Sequence, residues 1–295
     1  MKDISIVILS YNTRDTTIRC IETLEKSLLQ SKNVKSEIII VDNSSSDGSV
    51  MAINQIKNKG HIPKSFFPLN KNIGFTGGNN FGASKASGEF ILFLNSDVFI
   101  DHVSWKKLIL FLKSDDTIGA LTVRVNLPNG SLDKASHRGV PTLWNSFCYF
   151  AKLEQITKDI PRVNKLFGGY HLSHLDLSTR HQVASVSGAF LLTRRKVFED
   201  ISGFDEEFFM YGEDLDLAYR IRESGYKIYY CPEYSVTHLK YQSGKRGTKE
   251  GQKIARYHFF KSMKIFYNKH FLTKYSSIVS YFVNLIFNYL IKIQK

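Results

Sequence analysis

The sequence predicts an α/β protein, a parallel sheet with helices packed on both faces. Three observations carry this reading. Short apolar runs alternate with amphipathic stretches across residues 4–114. The runs are apolar at nearly every position rather than at every second one, the pattern of strands buried on both sides. Polar or glycine-rich residues follow the runs, at the edge where open α/β sheets hold their ligands.

Residues 4–9 (ISIVIL) are the first run, closed by Ser10-Tyr11-Asn12. Residues 14–30 place Ile18, Ile21, Leu24 and Leu28 at helical spacing. Residues 38–41 form a second run ended by Asp42, and Ser46 or Asp47 stands where the next helix needs its cap. Residues 66–69 read as a short strand, 79–87 as a helix, 90–94 (FILFL) as a strand and 103–114 as a helix. Residues 126–182 are irregular, broken by Pro128, Pro141, Pro161 and Gly168-Gly169, and are expected to be loops. Pattern returns in the apolar stretch 183–192, then in a helix over 214–224 and short strands near 226–238. Residues 252–270 and 275–292 read as helices, and no internal repeat is visible.

A chain of 295 residues, 43% hydrophobic and 23% charged, suits one large domain or a domain with an appendage. Cys20, Cys148 and Cys231 are far apart and form no CxxC pair. That spacing excludes a disulfide framework or a cysteine zinc site and points to a reducing compartment. The first twelve residues lack a small-residue cleavage site and read as a buried strand rather than a signal peptide. The formal net charge of +13 attracts something acidic: nucleic acid, anionic lipid or a phosphorylated ligand.

The chemistry-bearing residues follow the apolar runs. They are Ser10-Tyr11-Asn12, Asp42-Asn43-Ser44, the segment 70–78 and Asn95-Ser96-Asp97. Any one polar strand end is more often a plain turn, but four on one rim, two with a carboxylate, form a binding edge. The glycine segment 72–80 (NIGFTGGNN) opens a helix and brings backbone close to a phosphate. It is neither GxGxxG nor a P-loop, so dinucleotide and P-loop readings lose support. Asp97 emerges where a carboxylate can hold Mn2+ or Mg2+, although a lone NSD is usually a turn. His238 follows a short strand-like stretch and, paired with Asp97, would complete a metal site. Residues 203–217 carry six carboxylates among four aromatics and a methionine. An acidic helix start explains the charges, but not the apolar neighbours, which suit a carboxylate base of raised pKa.

Taken in order, SYN, VDNSSSDGS, N-x-G-F-x-x-G-x-N, LNSD, SGAFLL, GFDEEFFMYGEDLDLAYR and His238 resemble family 2 glycosyltransferases, most of all their rhamnosyltransferase-like bacterial branch, over residues 1–270. The resemblance implies a GT-A fold: a Rossmann-like, mixed but mainly parallel sheet flanked by helices. It implies a catalytic domain over 1–250, divided into a nucleotide-sugar half (1–125) and an acceptor half (126–250), with C-terminal amphipathic helices over 251–295. It also implies a nucleoside-diphosphate sugar donor, dTDP-rhamnose or a UDP-hexose, and a divalent cation. Asp42 would meet the nucleobase or ribose. Ser10, Tyr11, Asn12, Asn43, Gly74, Gly77, Asn80, Asn95 and Ser96 would lie along the donor. Asp97 would be the last acid of a metal-binding DxD whose first acid is here Asn95, with His238 as a further ligand. Asp214 would be the catalytic base of an inverting transfer, supported by Glu213. Arg220, Arg222, Lys240, Lys245 and Arg246 are candidate phosphate contacts, or simply a solvated basic face.

The lysines and aromatics of residues 251–295 suit an interfacial membrane helix, with packing on the domain or a homodimer interface as the competing reading. Polar residues interrupt 275–293, which disfavours a span. The expected setting is the cytoplasm, peripheral on the inner face of a bacterial membrane, with a glycan or polyprenyl-linked acceptor. Three rivals are weaker. A nucleotidyltransferase acting on sugar phosphates would not need the Glu213-Asp214 pair. A basic nucleic-acid-binding protein would show a recognisable motif, so no nucleic-acid partner is expected. An inactive scaffold would not retain both Asp97 and Asp214.

Overall fold

The computed structural model describes residues 2–31, 33–240 and 249–294. The first half alternates strand and helix: β1 (Lys2–Ser10), α1 (Arg14–Gln30), β2 (Ser36–Asp42), α2 (Ser49–Ile56), β3 (Lys64–Pro68), α3 (Gly74–Ala83) and β4 (Gly88–Asn95). Then follow β5 (Val98–His102), α4 (Trp105–Lys113), β6 (Ile118–Asn126) and three short helices, α5 (Leu143–Phe150), α6 (Leu153–Ile156) and α7 (Pro161–Phe167). The chain continues through β7 (His181–Val183), β8 (Phe190–Arg194), α8 (Arg195–Asp200), α9 (Glu213–Glu223) and β9 (Lys227–His238). Two long helices end the description, α10 (Lys249–His270) and α11 (Ser277–Lys292).

The strands form one sheet in the order β3-β2-β1-β4-β8-β6-β9-β5, with β7 also on β9. β1 to β4 are parallel throughout, with Ser10 level with Asp42 and Leu9 level with Asn95. The mixed character enters with β8, antiparallel to both β4 and β6. β9 runs parallel to β6 and antiparallel to β5, which sets Val98 opposite His238. The chain departs from β1 in one direction to β2 and in the other to β4, so the crevice beyond Ser10 and Asn95 is the topological switch point.

Apolar side chains of α1 and α4, among them Leu24, Trp105 and Leu112, cover one face of the sheet; Val197, Phe198, Leu217 and Ile221 of α8 and α9 cover the other. A smaller cluster of Phe208, Leu215, Tyr219, Phe266, Tyr267 and Phe271 fastens α9 to α10.

Several boundaries differ from expectation. The helix expected at 79–87 begins five residues earlier, because the glycine segment is itself helical. Its glycines allow the helix to lie against the sheet: a Cβ on Gly78 would come within 2.4 Å of Leu9, and one on Gly82 within 2.4 Å of Val7. The stretch 183–192 divides into β7 and β8, and the region 226–238 is one bulged strand. β5 and β6 had no counterpart in the sequence reading. The segment 126–182, expected as loops, holds α5 to α7.

Candidate active site

At the carboxyl ends of β1 and β2, the expected donor-binding side chains are largely occupied with one another. Asp42 is fully buried and accepts both Ser45 N–H (2.8 Å) and Ser45 Oγ–H (2.7 Å). Asn12, at φ +52°, accepts from Ser46 N–H at 2.8 Å. Asn43 donates to Asn72 Oδ1 and to Gly74 O and accepts from Ile73 N–H, which fixes the turn into α3. Ser10 and Ser96 are buried in a hydroxyl network with Thr13 and Thr17. Asn80 clamps the Phe204 backbone, donating to its C=O and accepting from its N–H. Gly77 packs on Ile73, and Gly74, at φ +82°, lets Phe75 N–H reach Phe209 O at 2.8 Å. The side chains of Ser10, Asn43 and Asn80 are all hydrogen-bonded within the protein. Tyr11 and Asn95 are partly exposed at the rim.

The structure brings Asp97 and His238 together. Asp97 Oδ1 lies 3.2 Å from His238 Nε2, and Asp133 Oδ2 lies 3.0 Å from His238 Nδ1. Lys240 Nζ donates to Asp133 Oδ1 at 2.7 Å, so Lys240 serves this network. Burial works against an imidazolium, but the hydrogen bonds and charges of Asp133 and Asp97 prevail and push His238 up to about 9. Burial likewise opposes the Asp133 carboxylate, yet His238 and Lys240 hold it down at about 2. A carboxylate on Nδ1 presents Nε2 outward, the second-shell arrangement of metal-binding histidines. Asp97 and His238 therefore fit a divalent cation as a two-ligand set. No group of three or more such ligands occurs among the described residues.

The second cluster lies beyond β4 and β8, where Asn95 N–H meets Ala189 O. The turn before β8 supplies Val186 O, which accepts from Arg138 at 2.8 Å, and the same guanidinium nitrogen reaches Asp214 Oδ2 at 2.7 Å. Gly212 in the left-handed region, at φ +77°, starts α9 so that Glu213 and Asp214 occupy its first turn. Glu213 is buried; burial, then the adjacent Asp214 charge, push its carboxyl up to about 8. Glu213 Oε2, Ser187 Oγ and Arg138 Nε are buried without a hydrogen-bond partner among the described residues. Unpaired buried polar atoms are uncommon, and three of them gather beside Asp214.

Asp216, the third acid of α9, is structural. It is fully buried and paired with Arg220, Lys269 and His270. Arg220 also donates to Ile201 O and Gly203 O, so it is no phosphate contact. Arg222 is exposed toward the end of α9. Lys245 and Arg246 lie outside the described residues. Asp133 and Arg138 were missed by the sequence reading, because they sit in the aperiodic segment and gain meaning only from their partners. A 3-10 turn, Lys134–Ser136, separates them, so one strut supports both His238 and Asp214.

This fold and these two clusters define a class: an α/β protein with a nucleotide-type switch point, a carboxylate–histidine pair and a buried acid pair on one rim. The family model described as glycosyl transferase family 2 matches residues 5–202, and that of glycosyl transferase family group 2 matches residues 165–291. The chain belongs to glycosyl transferase family 2. It is similar to the O-antigen biosynthesis protein RfbC of Myxococcus xanthus, 28% identical over 237 residues, 79% of this chain and 17% of that protein. It is also similar to poly-beta-1,6-N-acetyl-D-glucosamine synthase of Staphylococcus aureus, 26% identical over 232 residues, 79% of this chain and 48% of that one. The chain thus spans less than half the length of these curated relatives. The crystal structure of GalNAc-T7 with UDP, GalNAc and Mn2+ shares the fold at a TM-score of 0.61 and 16% identity, covering 90% of this chain and 47% of that one. This bears out the GT-A expectation.

Proposed function

We propose that the chain is an inverting glycosyltransferase that moves a sugar from a nucleoside diphosphate to a hydroxyl of a glycan or lipid-linked glycan in cell-surface polysaccharide synthesis. The observation that carries this is the Arg138-anchored Asp214 beside the buried Glu213, whose Oε2 has no partner among the described residues, on the same rim as Asp97 and His238. Asp214 accepts the proton of the acceptor hydroxyl as that oxygen attacks the anomeric carbon. The bond from that carbon to the diphosphate oxygen breaks, its electron pair leaves with the nucleotide, and one displacement inverts the centre. Arg138 orients the Asp214 carboxylate, and Glu213 and Ser187 offer hydrogen bonds to the acceptor. Asp97 and His238 would hold Mn2+ or Mg2+, which when bound neutralises charge on the leaving diphosphate.

The RfbC and poly-N-acetylglucosamine synthase relatives support the polysaccharide setting. The donor is dTDP-rhamnose or a UDP-hexose, the former favoured by the motif resemblance. Exposed apolar residues on α11 beside lysines support peripheral docking on a membrane, and no described helix is long and apolar enough to cross one.

A panel of nucleotide sugars, each tested by thermal shift with and without Mn2+, examines this reading. A ligand at 100 times its Kd stabilises the native state by about 2.7 kcal/mol. A Mn2+-dependent shift with one nucleoside-diphosphate sugar is expected and identifies the donor. No shift with any of them sinks the proposal.

A further inference from the structure

We propose that residues 140–169, the excursion carrying α5 to α7, are a second bilayer-contacting element that holds the catalytic cleft against an anionic lipid surface. The proposal rests on the glycosyltransferase reading above, with α11 at the membrane, and assigns a partner to a segment that the reading leaves unexplained.

The excursion exposes large apolar side chains. Trp144, Phe147, Phe150, Ile156, Ile160 and Leu166 are between 46% and 73% exposed. Trp144, Phe147 and Phe150 recur at three-residue spacing along one flank of α5, while Cys148 faces inward. The face is built rather than frayed: Trp144 Nε1–H donates to Leu166 O at 3.0 Å, tying α5 to α7, and its ring packs on Phe147 and Phe167. Contiguous apolar surface of this kind on a soluble face marks a partner.

Charge selects the partner. Among residues 143–167, Lys152, Lys158, Arg162 and Lys165 are exposed, against one exposed acid, Asp159; Glu154 is buried under Lys134 and His171. Residues 249–294 carry eight lysines and arginines and one acid, Glu250. A second copy docking here would set two positive faces together, which is repulsive. An anionic bilayer takes the apolar side chains into its interface and the lysines onto its phosphates.

The two elements share a base. Leu143 N–H reaches Tyr275 Oη at 3.4 Å, just before α11, and Val140 and Leu143 pack with Val283 and Phe287 around the α9–α10 cluster. The excursion is also rooted on the acid pair. It leaves the fold directly after Arg138, the partner of Asp214, and returns at Tyr170, whose O accepts from Gly139 N–H at 2.8 Å. Lipid contact at its tip therefore places the cleft where an acceptor anchored in the bilayer presents its head group.

Trp144 is a built-in probe, because the only other tryptophan, Trp105, is fully buried in the core. The full chain is titrated with phosphatidylglycerol–phosphatidylcholine vesicles while tryptophan emission and acrylamide quenching are followed. A blue shift with at least a threefold fall in quenching is expected. F147S/F150S, at exposed positions, should weaken vesicle partitioning by at least about tenfold while keeping the wild-type melting temperature. Vesicle binding that leaves Trp144 fully quenchable overturns the second element and leaves α11 as the anchor. No binding to anionic vesicles overturns both. A lipid-free particle of twice the chain mass with Trp144 already shielded assigns the face to a second copy and also overturns the proposal.

Discussion

At the ends of β1 and β2, Asp42, Asn43 and Asn12 spend their polar atoms on neighbouring loops, whereas around Asp214 the atoms Glu213 Oε2, Ser187 Oγ and Arg138 Nε have no hydrogen-bond partner among the described residues. The first region is a finished scaffold: side chains hold backbone turns, and a donor would meet a surface already in place. The second gathers buried polar groups that have no partner among the described residues, and such groups call for one. Polar residues at a strand end thus mean two different things, and only their partners tell which.

The largest effect should come from Asp214→Asn. Losing the base is expected to cut turnover by about 10²- to 10⁴-fold, with donor-induced thermal shift retained. Leaving Arg138 without its carboxylate should also lower the melting temperature, since breaking a buried pair costs about 3–5 kcal/mol. Wild-type turnover in single-turnover assays would remove Asp214 from the chemistry.

Asn43→Ala probes the scaffold side. It removes three hydrogen bonds from the turn into α3 and is expected to cost about 1–3 kcal/mol and to raise the donor KM with little change in kcat. An unchanged melting temperature would mean that the turn holds without Asn43.

The smallest effect is a pH dependence at Glu213. Its carboxyl ordinarily titrates near 4.5 and is raised to about 8 in the fold. Between these values the unfolded chain releases the proton and the folded chain keeps it, so this group lowers stability as pH rises through that window. Glu213→Gln removes the titration, and its melting temperature should therefore gain on the wild type from pH 5 to pH 8. Parallel melting curves across that range would show that Glu213 ionises freely.

The strands β1, β2 and β4 were legible because burial on both faces is written locally as unbroken apolar sequence. The pairing of Asp97 with His238 was anticipated from residue type and order, and they stand 3.2 Å apart. β6 escaped notice because Gly119 and Arg124 interrupt its apolar run. α5 to α7 escaped because short helices with exposed apolar flanks carry no inward-facing period. Arg220, left open between a phosphate contact and a solvated basic face, is neither, since a sequence shows its charge but not the Asp216 carboxylate and carbonyls around it.

The sequence alone determined the sheet-and-helix alternation and the family motifs, because apolar period and residue chemistry are local properties. Only the tertiary structure decided that Asp133 meets His238, that Arg138 meets Asp214, that Asn43 bonds to the turn into α3 and that Asn80 bonds to Phe204. Those assignments depend on contacts between residues 30 to 124 positions apart, made when the strands order themselves in the sheet, and no local pattern encodes them.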